Sequence, residues 1–188
     1  MNGRVAAMIP LPQTRYRPTL VLMHWLTLLL LAGVYATMEL RGMFPRGSGP
    51  RELMKQAHYF LGLSVFALTW LRLSVRLVSP SPPIRPRPPL WQSRIATGMA
   101  IALYALLLAM PVLGYLLLNA DGTAPTLGGM ALPRLIGERP ALVEPLEEWH
   151  ELVANLGYAL VGLHALAALY HHYVRHDDTL LRMSLRRG

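Results

Sequence analysis

Four uninterrupted apolar runs decide most of what this chain can become. A helix needs about 20 mostly apolar residues to cross the hydrocarbon core of a bilayer. Residues 19–38 (TLVLMHWLTLLLLAGVYATM) qualify, and so do residues 56–78, 95–118 and 149–173. Inside lipid the backbone must satisfy its own hydrogen bonds, which makes each run a helix. The expected fold is all-α, an integral membrane four-helix bundle. Residues 1–17 read as an N-terminal tail, 18–175 as the four-span domain and 176–188 as a basic C-terminal tail. The 188 residues are 53% hydrophobic and only 15% charged, so one such domain uses most of the chain. The first run is too long for a signal-peptide core, and its removal would leave an odd number of spans, so no cleaved leader is expected. A net charge of +8 would suggest nucleic acid in a soluble protein. Here it points to the bilayer, and no nucleic-acid partner is expected.

The basic residues orient the bundle. On one side lie Arg4, Arg15, Arg17, Arg72, Arg76, Arg85, Arg87, Arg94, Arg175, Arg182, Arg186 and Arg187, against Asp177 and Asp178. The other side has Arg41, Arg46, Arg51, Lys55, Arg134 and Arg139 against eight acids. Positive-inside bias therefore predicts both termini, and the second connection, in the cytoplasm of a bacterial inner (plasma) membrane. Residues 40–54 read as a short external loop. Residues 79–90 (SPSPPIRPRPPL) read as a stiff polyproline-type link that basic residues could hold against anionic headgroups. Residues 119–147 read as the longest loop, with Gly128–Gly129, Pro133, Pro140 and Pro145 as breakers and room for a short interfacial helix.

Ionisable residues within spans mark function by default. His24 lies in the first span, His58 near the start of the second, and His150 and His164 in the fourth. The last two are 14 residues apart, about 40° short of four full turns, so they share a face at levels about 21 Å apart. Gly157 lies midway on that face, where it leaves room for a flat ligand or a second helix. Counted from the external charges, His58 and His150 are both shallow, whereas His24 and His164 both lie roughly 22–24 Å deep. Two histidine pairs at two depths is the pattern of two bis-His sites for non-covalent haem b. Zero cysteine already excludes thiolate metal sites, iron–sulfur clusters and covalently attached haem. The plainer reading makes these histidines polar glue and interfacial residues. A zinc or copper site is a weaker rival, because no intramembrane carboxylate or thiol completes a ligand set.

Other residues carry two readings each. Arg72 and Arg76, four apart on one face, suit haem propionates or simple positive-inside topology. Trp25, Trp91 and Trp149 read as interfacial anchors, Pro111 as a kink, and Asn155 as an interhelical hydrogen-bonding group. Arg41, Arg46, Arg51 and Lys55 gather beside His58, as anion-steering charges or as headgroup contacts.

Several stretches together resemble the prokaryotic cytochrome b561 family. They are His24–Trp25, MELRGMFPR (38–46), Arg72 and Arg76 followed by PSPP, WHELVANLGY (149–158), GLHALAAL (162–169), and the HHY and LLRM segments near the end. The resemblance covers nearly the whole chain. It implies four helices holding two b haems and exchanging electrons with membrane quinone, some members being superoxide:ubiquinone oxidoreductases. Carried over by position, it places His24 and His164 on the cytoplasmic-side haem and His58 and His150 on the external one. Where some relatives have histidines early in the third span, this chain has Thr97 and Ala100. The expected function is electron transfer between an external small donor, superoxide, and quinone. His171 and His172 are placed for quinone proton exchange, or else for interfacial anchoring. The alternatives are a cytochrome b anchor subunit of a multi-subunit dehydrogenase or hydrogenase, and a non-haem metal transporter or scaffold.

Overall fold

The computed structural model describes residues 15–123, 126–127 and 130–185. Residues 1–14, 124–125, 128–129 and 186–188 lie outside the described residues, and with them Arg4, Arg186 and Arg187 of the charge count and the Gly128–Gly129 breaker.

Four helices form where the apolar runs place them: α1 (Pro18–Arg41), α2 (Gly49–Leu77), α3 (Leu90–Ala120) and α4 (Pro140–Tyr173). All four are long and apolar enough to cross a membrane. Each is longer than its apolar run, because polar turns continue the helix past the hydrocarbon boundary. The expected loop 40–54 accordingly shrinks to 42–48, and the expected loop 119–147 to 121–139. Pro145 is not a breaker but sits in the second turn of α4, which continues through it although its missing N–H forgoes one main-chain hydrogen bond. In place of a separate interfacial helix, the loop holds a two-residue antiparallel hairpin, β1 (Thr126–Leu127) on β2 (Met130–Ala131). It is pinned by Asn119, fully buried at the end of α3, whose side-chain oxygen accepts from the Leu135 N–H at 2.7 Å and the Ile136 N–H at 3.4 Å. α3 runs unbroken through Pro111.

α1 packs along α2 and α3 along α4, so the molecule is two helical hairpins joined through α2 and α3. α1 and α4 lie far less closely against each other than the helices within each hairpin. Large apolar side chains face outward all round, with Leu29 69% and Leu166 62% exposed. Water would not support such a surface, whereas lipid does. The segment after α4 meets the 78–89 link, and Tyr16 meets that segment, at one end of the bundle, here the termini end. The 42–48 turn and the hairpin loop mark the opposite, loop end.

Candidate functional site: two histidine pairs across the gap between the hairpins

The α1–α4 gap is bridged by side chains rather than backbone. His24 on α1 faces His164 on α4 with ring centroids 6.1 Å apart and planes at 71°. Towards the loop end, His58 on α2 faces His150 on α4 at 6.2 Å, also at 71°. Two imidazoles gripping one iron from opposite sides would lie roughly 6.2 Å apart, from metal–nitrogen bonds of about 2.0 Å and about 1.1 Å from each nitrogen to its ring centre. Among the described residues no three metal-ligating side chains converge, so each site offers two protein ligands and no more.

The surroundings orient the rings. His58 Nδ1 lies 3.0 Å from the Val34 carbonyl oxygen. A carbonyl only accepts, so Nδ1 carries the hydrogen and Nε2 keeps a free lone pair, the usual arrangement for a metal-ligating histidine. His150 has its Nδ1 buried without a partner, and its ring lies against Gly114 of α3. A Cβ at residue 114 would stand 3.1 Å from His150 Cε1, so the missing side chain makes room for the ring. Behind His24 lies a cation instead: an Arg72 guanidinium nitrogen is 3.1 Å from His24 Nδ1, and the same guanidinium lies over the Tyr104 ring. Because arginine only donates, His24 Nδ1 here presents its lone pair.

Between the two levels, Tyr35 of α1 donates its hydroxyl to the Ala154 carbonyl of α4 at 2.9 Å. Gly157 is what admits it, since a Cβ there would collide with the Tyr35 hydroxyl. The space read from sequence at Gly157 is thus taken by a phenol. Tyr158 stacks at 4.2 Å on Tyr35 and donates to Glu39 at 2.7 Å. An apolar groove of about 230 Å³ runs beside them, lined by Leu28, Leu31, Ala32, Tyr35, Tyr158 and Val161. Sequence reading missed Tyr35, Tyr158, Gly114 and Asn119. A depth count for Tyr35 against Gly157 would have found the first.

The remaining candidates are scattered. Arg76 bonds the Ser79 carbonyl and lies over Tyr16, one turn from Arg72. Arg51 caps the carbonyls of Arg41 and Phe44, Lys55 pairs with Glu52 at 2.9 Å, and Arg46 is exposed. His171 Nδ1 meets the Asp177 carboxylate at 2.5 Å, while His172 has a buried Nδ1 without a partner. Trp25 is no free anchor, since its indole donates to the Met183 carbonyl at 2.8 Å. Trp91 and Trp149 are exposed, as is Asn155, whose interhelical role falls instead to its neighbour's carbonyl.

Known proteins resemble this chain in sequence. The family profile described as Prokaryotic cytochrome b561 matches residues 15–184. Cytochrome b561 homolog 1 of Escherichia coli (strain K12) is 41% identical over 173 residues, covering 92% of this chain and 98% of that one. The probable superoxide oxidase CybB of Yersinia pestis is 38% identical over 164 residues, 85% of this chain and 90% of its own. Cytochrome b562 of Cereibacter sphaeroides is 33% identical over 130 residues, 67% of this chain and 65% of its own. With four spans, matched histidine rings and this coverage, the chain belongs to the prokaryotic cytochrome b561 family, as a multi-pass bacterial inner-membrane cytochrome that transfers electrons with haem b.

Proposed function

We propose that the two ring pairs hold two haem b groups, His58 with His150 and His24 with His164, and that the protein carries electrons from superoxide to membrane quinone. The observation that carries this reading is the repeat of one ring spacing, 6.1 and 6.2 Å, at two levels of the same α4 face. When bound, haem b supplies a one-electron carrier at each level. The chain's own residues supply the rest. Val34 holds the His58 ring with Nε2 free. Gly114 leaves the His150 ring its place. His24 must give up its bond to Arg72 before its ring can serve as an Nε2 ligand, and the freed guanidinium then suits a propionate. Arg76, one turn further along α2, is the second propionate candidate.

The charge bias supports both termini in the cytoplasm and the loop end outside. Superoxide would then arrive at the end where Arg41, Arg46, Arg51 and Lys55 cluster beside His58, a local positive field that raises encounters with small anions. The Yersinia relative is named a probable superoxide oxidase, which favours the same donor. In balance, two superoxide anions lose one electron each to become dioxygen, and one quinone takes both electrons with two protons to become the quinol. His171 and His172, at the cytoplasmic edge, are the candidate groups for that proton exchange.

A dithionite difference spectrum with a count of haem per chain tests the cofactor, with two low-spin haems expected. Adding superoxide and quinone separately tests the reaction. Reduction by the first and reoxidation by the second is the expected result. Two haems that answer to neither would leave the cytochrome without this activity.

A further inference from the structure

The residues after α4 do not trail away as a tail. The Asp177 side chain, 5% exposed, takes the His171 ring and the Thr179 N–H at 2.9 Å, which turns the chain back beneath α4. Asp178 and Arg85 then exchange two hydrogen bonds, the Asp178 N–H to the Arg85 carbonyl at 3.1 Å and the Arg85 N–H to the Asp178 carboxylate at 2.9 Å. Arg182, also 5% exposed and in a short 3-10 turn (Leu181–Met183), donates to the Pro82 carbonyl and lies 5.1 Å over the Tyr16 ring. Its own carbonyl accepts from the Tyr16 N–H, and the next carbonyl, Met183, holds the Trp25 indole at 2.8 Å. Trp25 in turn packs edge-on against His24, with ring centroids 5.4 Å apart. The segment therefore runs from the end of α4 across the proline-rich link to the start of α1.

These ties join two helices that otherwise pack against each other only loosely. We infer that residues 177–183 are a clasp that fixes the α1–α4 spacing at the termini end, and so the distance at which His24 meets His164. Arg182 and Trp25 are positioning residues, acting through α1 on the ring beside them. The buried guanidinium has a polar partner on the proline-rich link and an aromatic one before α1 and loses both on truncation, so Arg182 is the main fastener. The Trp25 hydrogen bond is the last link to the histidine. The consequence for a bound cofactor rests on the haem reading above, but the clasp itself does not.

The chain has no cysteine, so two introduced ones are its only thiol labels. Leu22→Cys on α1 and Leu166→Cys on α4, both exposed, take nitroxide labels in the full-length, haem-loaded protein. The label-to-label distance is compared between this parent and versions that add Arg182→Ala or Trp25→Phe, the second removing little besides the indole N–H. The expected result is a longer and broader distance in both. With it should come a shifted low-spin iron resonance and midpoint potential at the His24–His164 level, while the His58–His150 level keeps its own. An unchanged distance in both variants overturns the clasp. A longer distance with both iron signals unmoved overturns its positioning role. A chain that binds no haem but still opens on substitution keeps the clasp and defeats only the cofactor reading.

Discussion

Towards the loop end, His58 is backed by the Val34 carbonyl; towards the termini end, His24 is backed by the Arg72 guanidinium. The ring spacing is nearly the same at both levels, so what differs is the charge behind the rings. A carbonyl that accepts from Nδ1–H makes an imidazole a better donor to its metal. A fixed cation at the other level favours the site that has gained an electron. With haem at both levels as proposed, an electron would be held more firmly at the termini end, and transfer from the loop end would run downhill. The proposed reaction, with superoxide at the loop end and quinone at the termini end, requires that direction.

Removing a histidine is the strongest test of the two levels. His58→Ala is expected to lower haem per chain from two to one, as is His24→Ala, with the two lost absorption components adding up to the parent spectrum. A single substitution that empties both levels would show that they are not independent.

Gly114→Val comes next, since it drives a branched side chain into the His150 ring. Overpacking of this kind costs about 1–3 kcal/mol, or roughly 5- to 150-fold in retention of the haem at that level. The His24–His164 level should stay filled, which a count of haem during dilution would show.

Arg72→Gln removes the charge and keeps a donor. It should lower the midpoint potential at the His24–His164 level by roughly 50–100 mV and leave the other level in place. Redox titration of the resolved components checks this, and equal shifts at both levels would remove the distinction drawn from Arg72.

The smallest effect is acid sensitivity confined to the termini end. Burial alone would raise the Asp177 carboxyl, but hydrogen bonding to Thr179 and His171 holds it below the usual carboxylate value. A group depressed in the folded state contributes above its ordinary value, and that contribution fades as pH falls through the depressed one. Acidification through the carboxylate range should therefore lengthen the Leu22–Leu166 label distance, and Asp177→Asn should flatten that dependence.

The spans were legible because burying backbone in lipid leaves a run of 20 apolar residues few other conformations. Their ends were not. Polar turns such as residues 140–148 continue a helix beyond the apolar run, and Pro145 reads as a breaker although α4 continues through it. Which histidine rings meet was legible from depth, since helical rise turns residue number into height. What stands behind each ring was not. Val34 contributes a carbonyl, which any residue has, and Gly114 contributes an absence that only its neighbour explains. The fold-back of residues 177–183 was invisible for the same reason. Its fasteners to Tyr16, Trp25 and Pro82 run through main-chain oxygen of Arg182, Met183 and Pro82, and sequence letters do not encode main-chain oxygen.

The open seam between the hairpins bears on biogenesis. Each hairpin packs along its own length, so each can enter the bilayer and mature as a unit before the two meet face to face. Porphyrin, if the paired rings hold it as proposed, would then have a short way in, sideways through the seam rather than past a finished core.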